Sequence, residues 1–126
     1  MRRNRIIVTV VVLLALFSGI ASALGDREVK RIEYLITSVE NLTGAKFVRN
    51  GKEYDGKQAA AHLRMKLKNT ASMVHSAEDF IKICASKSYL SGKPYLIVFP
   101  NGQTVPSEAF FRQRLKEFDG KGAAPK

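Results

Sequence analysis

From Val29 onward the apolar positions change their period along the chain, and each period names an element. Val29, Ile32, Leu35, Ile36, Val39 and Leu42 recur every three or four residues. At about 100° per residue they fall on one arc of a helix, with Lys30, Glu33, Thr37, Ser38 and Glu40 opposite. The spacing predicts a helix that begins at Asp26 and is ended by Gly44. Asn50-Gly51 then sits between Ala45–Arg49 and Lys52–Tyr54. This pair accepts positive φ at both central positions of a two-residue turn, so the segment reads as a short hairpin.

Asp55, with Gln58 three residues on, is a capping-box variant that opens a second helix with Ala59, Ala60, Leu63, Leu67 and Val74 inward. Ser76 and Asp79 repeat the cap signal before a third helix, which turns Ala77, Phe80, Ile81, Ile83 and Cys84 inward. Ser86–Lys93 is a polar loop. The apolar run Tyr95–Phe99 lies between Pro94 and Pro100 and reads as a buried strand. Asn101-Gly102 turns it into a partner at Gln103–Val105, and Pro106-Ser107 opens a last helix with Phe110, Phe111, Leu115 and Phe118 on one side. The order α, ββ, α, α, ββ, α contains no βαβ unit. The expected class is α+β: two hairpins in a small antiparallel sheet packed against four helices, as a single domain over residues 24–119. Residues 120–126 are expected to be a disordered tail.

The first residues carry a different pattern. Arg2, Arg3 and Arg5 precede a 12-residue apolar run, Ile6–Phe17, broken only by Thr9. A bilayer-spanning helix needs about 20 such residues. The run fits the core of a secretory signal, and Ala21-Ser22-Ala23 supplies the small residues of a cleavage site. Residues 1–23 are therefore expected to be removed after Ala23. The product would be periplasmic or secreted, with no transmembrane span. The whole chain is +10; Arg2, Arg3 and Arg5 account for three of those charges, leaving +7 on residues 24–126. Cys84 is the single cysteine, so no internal disulfide can form.

Several chemistries are excluded by spacing. Gly92-Lys93 is no phosphate loop, because Lys87 stands where the earlier Gly is needed and Pro94 where Ser or Thr is needed. Neither S-x-x-K nor G-x-S-x-G occurs in residues 24–126. His62 and His75 lack metal-site spacing, and Cys84 lies on the apolar arc of its helix, where a thiol packs as a small hydrophobe. No catalytic residue, metal or cofactor is assigned.

The stretches Phe47–Tyr54, Ala59–Lys66, Ser76–Ile81 and Ser86–Tyr95 together resemble the YfeK-like family of small bacterial exported proteins, a domain of unknown function. The likeness spans about Ile32 to Phe118. It departs in the last helix, where Phe110-Phe111 replaces an expected Trp-Leu pair. The resemblance implies a bacterial periplasmic setting and carries over no site residue.

The remaining signal is basic surface. Lys57, Arg64 and Lys68 lie within about 40° of one another on the second helix, and Arg49, Lys52, Lys87 and Lys93 lie on turns. In an exported protein such charge points to an anionic envelope component or a protein partner rather than to nucleic acid. The candidate ligand-binding set is Arg49, Tyr54, His62, Lys66 and Tyr95. The short strand-to-helix reversal brings the first four together, and the second hairpin would add Tyr95. The alternatives are that both tyrosines belong to the core and His62 caps a strand, or that His62 serves a small hydrolase.

Overall fold

A computed structural model describes residues 24–123. The expected signal segment 1–23 and the end of the expected tail, 124–126, lie outside the described residues. Among the described residues the architecture is α+β, with four α-helices and one four-stranded antiparallel sheet.

Helix α1 (Asp26–Glu40) buries Ile32, Leu35, Ile36 and Val39, as its period predicts. Val29 does not join them and is exposed. The buried stripe is rotated toward the other edge of the arc, where Arg31 lies about 40° from Leu35. Arg31 is buried, and its guanidinium donates to Glu28 of the same helix, to Glu78 and to Asp119. The helix stops at Glu40, capped by Asn41, four residues before Gly44. Gly44 serves the following turn instead, with φ +77 and Pro100 against it.

Strands β1 (Lys46–Arg49) and β2 (Lys52–Tyr54) form the expected hairpin, with Arg49 opposite Lys52 and positive φ at both Asn50 and Gly51. Strands β3 (Leu96–Val98) and β4 (Thr104–Pro106) form the second. The hairpins join through β1 and β3, giving the order β2-β1-β3-β4. Phe47 and Ile97 are direct partners across that junction and face the helices. The ladder of β3 is shorter than the apolar run that predicted it. Only Ile97 is fully buried, while its neighbours are half-buried. Helices cover one face of the sheet, so alternate residues meet different surroundings.

Helix α2 (Gly56–Asn69) starts at a complete capping box: Gln58 N–H donates to Asp55 Oδ1 (2.8 Å) and Asp55 N–H to Gln58 Oε1 (3.0 Å). It ends before Val74, which is buried from a stretch beyond the 3₁₀ turn Ala71–Met73 rather than from the helix itself. Gly56 is where α2 passes the end of α1. A Cβ there would stand 2.5 Å from the Val39 carbonyl oxygen and 3.1 Å from that of Leu42. Helix α3 (Ala77–Cys84) is capped by Ser76, whose Oγ accepts from Asp79 N–H (3.0 Å), and Asp79 reaches back to accept from His75 N–H (2.9 Å).

Helix α4 (Ser107–Ala123) lays Phe110, Phe111 and Leu115 into the core, with Phe118 against Tyr34 at 4.9 Å. It runs through Gly120 and Gly122, which were expected in the tail. Asp119 is anchored there by Arg31. Phe80 and Phe111 meet edge to face at the centre of the core.

Candidate functional site

The Asn50-Gly51 turn, the end of β2 and the cap of α2 follow one another within a few residues. They deliver Arg49 from β1, Tyr54 from β2, and His62 and Lys66 from one face of α2, four residues apart. Tyr95 arrives from the other hairpin. Its backbone is clamped: its N–H donates to the Ser86 carbonyl (3.0 Å), and its own carbonyl accepts from Ser107 N–H (2.8 Å) at the start of α4. All five side chains line one partly open cavity of about 60 Å³. The floor is apolar and includes Phe47, Leu63 and Phe111. The volume suits a functional group rather than a whole drug-sized molecule.

Lys66 Nζ donates to Tyr95 Oη at 2.7 Å. The ammonium is 4.8 Å from the ring centroid, much farther than from the oxygen, so this is a charge-assisted hydrogen bond at the ring edge and not a cation over the ring face. An ammonium has three donors, and the phenol takes one. Tyr54 and His62 meet edge to face at 4.8 Å and 72°, which sets the imidazole against the phenol ring. Tyr54 is half-buried against the core, whereas the Tyr95 hydroxyl is held by Lys66 rather than by backbone.

Two further groups reach the cavity wall without having been assigned to it from sequence. Cys84 is fully buried, and burial pushes its thiol above the ordinary range, partly opposed by the charge of Lys66. Thr70 Oγ1 donates to the Lys66 carbonyl (2.6 Å), so the thiol is the donor in its 3.4 Å contact with Thr70 Oγ1. Ser107 gives its hydroxyl proton to the Ala85 carbonyl. Neither is poised as a nucleophile. Among the described residues no group of three or more His, Cys, Asp or Glu side chains could hold a metal ion.

The basic surface read on α2 is smaller than its sequence implies. Arg64 donates to Glu33 (3.0 Å) and Glu40 (3.2 Å) of α1, which raise its pKa and make it a brace between helices. Lys57 and Lys68 stay exposed. His75 is exposed beside Asp79, as expected of a helix boundary.

No helix among the described residues is long and apolar enough to cross a membrane. No solved structure matches the chain. The uncharacterized protein YfeK of Salmonella typhimurium is 36% identical over 92 residues, covering 73% of this chain and 76% of that protein. A family model described as a family of unknown function, DUF5329, matches residues 26–119, the whole span from α1 to the anchored turn of α4. On both grounds the chain belongs to this YfeK-like family of unknown function.

Proposed function

We propose that this chain is an exported, non-catalytic binding module whose cavity receives the anionic group of a cell-envelope component. The observation that carries the reading is the convergence of Arg49, Lys66, Tyr54, Tyr95 and His62 on one small cavity with an apolar floor. Two cations and two phenols supply donors, and the aromatic rings supply a surface for the carbon skeleton behind the anion. The nucleophile candidates on the wall favour binding over turnover, since the Cys84 thiol is held protonated by burial and Ser107 is committed to a carbonyl. Export is supported by the basic start, the 12-residue apolar run and Ala21-Ser22-Ala23.

The test is recovery of the protein from a periplasmic extract, followed by native mass spectrometry. A phosphate- or carboxylate-bearing adduct is expected on a chain that begins at Leu24. Lys66→Met and Arg49→Ala should each weaken rebinding of that adduct about tenfold or more, the worth of one charge-assisted hydrogen bond, with melting temperature nearly unchanged. An adduct bound equally by both variants would refute the reading. So would hydrolysis of an ester or amide probe that is abolished by His62→Ala, which would favour the hydrolase instead.

A further inference from the structure

A second surface lies outside the cavity. Tyr89 and Leu90 are 83% and 96% exposed, at the tip of the Ser86–Pro94 loop. Exposed apolar residues on a floppy loop would mean little, but this loop is built. Ser88 N–H donates to the Lys93 carbonyl and Gly92 N–H to the Ser88 carbonyl, both at 2.9 Å, and Lys87 pairs with Pro94. The Ser88 side chain is buried, and its Oγ accepts from Asn50 Nδ2 (3.1 Å) and Ser91 N–H (3.4 Å). Ser91 Oγ in turn donates to Asn50 Oδ1 (2.5 Å). The tip of the first hairpin is thus tied to the loop that leads into the second. Together they hold Tyr89 and Leu90 in water at a hydration cost that little contact among the described residues offsets.

The surroundings of the tip say what would cover it. Lys87 and Lys93 flank the pair within the loop, and Lys52 follows the Asn50-Gly51 turn; all three are exposed. A convex turn with two apolar side chains is too small to form the core of a protein interface, which needs roughly 800 Å² from each partner. A fluid bilayer interface needs no such complementarity. It accepts a Tyr ring and a Leu side chain at headgroup depth, and anionic lipids attract the surrounding lysines.

We propose that the Tyr89-Leu90 tip, with its collar of Lys52, Lys87 and Lys93, docks this domain on an anionic bilayer surface. The docking is independent of what the cavity holds. The chain contains no tryptophan, so Leu90→Trp introduces a single reporter at the tip. Its emission should shift to the blue with vesicles containing phosphatidylglycerol and stay unchanged with pure phosphatidylcholine. In co-sedimentation with the same anionic vesicles, Leu90→Ala should weaken binding about tenfold, as expected for one large apolar side chain. Lys87→Ala should weaken it about fivefold and flatten the salt dependence. Lys121→Ala removes the same charge from the far end of α4, roughly 20 Å from Ser107 along the helix, and should change little. Because all these positions are exposed, melting temperatures should match the parent. Equal loss from Lys121→Ala and Lys87→Ala, unchanged binding by Leu90→Ala, or a tryptophan that stays in water while the protein sediments would each overturn the proposal and leave only diffuse charge attraction or another partner.

Discussion

Arg31→Met is the substitution that most directly probes how this fold is held together. It keeps the helix propensity and apolar length of the side chain while removing the guanidinium. Three carboxylates converge on that group, and their exposure decides what each contact contributes. Glu28 is 17% exposed and 2.7 Å away, whereas Glu78 and Asp119 are 54% and 36% exposed, each at 2.9 Å. A hydrogen bond to a charged partner in the interior contributes about 1.5–3 kcal/mol. The two outer pairs are partly hydrated and contribute about 0.2–1 kcal/mol each. Relief of the buried arginine's own desolvation offsets part of the total. The net expectation is a loss of about 2–3 kcal/mol, or about 10–20 °C in melting temperature for a domain near 100 residues.

The pH dependence carries a second readout of the same network. Arg31 holds the Glu78 carboxyl below its usual range, chiefly through their hydrogen bond. The stability linked to Glu78 is therefore complete above the unfolded value of about 4.3 and is lost as pH falls through the lower folded value. Thermal and urea unfolding followed by circular dichroism should show the parent losing stability below about pH 4.3, with Arg31→Met losing less over the same interval. Glu78→Gln should cost under about 1 kcal/mol at neutral pH. A change below about 0.5 kcal/mol for Arg31→Met, in the range of ordinary surface substitutions, would refute the view that this buried arginine ties α1 to α3 and α4.

Two further outcomes follow from packing. Gly56→Ala should destabilise by about 1–3 kcal/mol, because the added methyl meets backbone oxygens of the α1 end that cannot turn aside; a melting temperature equal to the parent's would count against so close a crossing. Cys84 should react with a thiol reagent only slowly at neutral pH and rapidly once urea is added, since burial both blocks access and raises the thiol pKa. Fast labelling of the native protein would show that the thiol is reachable through the cavity and favour a nucleophilic role.

Much of the fold was legible because the deciding interactions are local. The Asp55–Gln58 capping box, the Ser76 cap and the Asn50-Gly51 turn each close within about four residues, so residue type and spacing determine them. The same holds for four of the five candidate residues on the cavity. Arg49, Tyr54, His62 and Lys66 fall along one strand-turn-helix segment, and once the turn and cap are set their side chains have little choice but to converge. Tyr95 joined them only because β1 pairs with β3, a register that turn chemistry does not specify. Periodicity likewise predicted the α1 arc but not which of its edges is buried. Val29 and Arg31 flank the same stripe, and the polar one went inward because Glu78 and Asp119, 47 and 88 residues away, arrive there to neutralise it. Arg64 lost its place on the basic face for the same reason, when Glu33 and Glu40 of α1 came within reach. Local sequence determined the elements, their caps and most of the cavity. Which charged groups are buried, braced or left to meet an outside partner was decided by tertiary packing, because a charge's cost depends on neighbours brought together only by the completed fold.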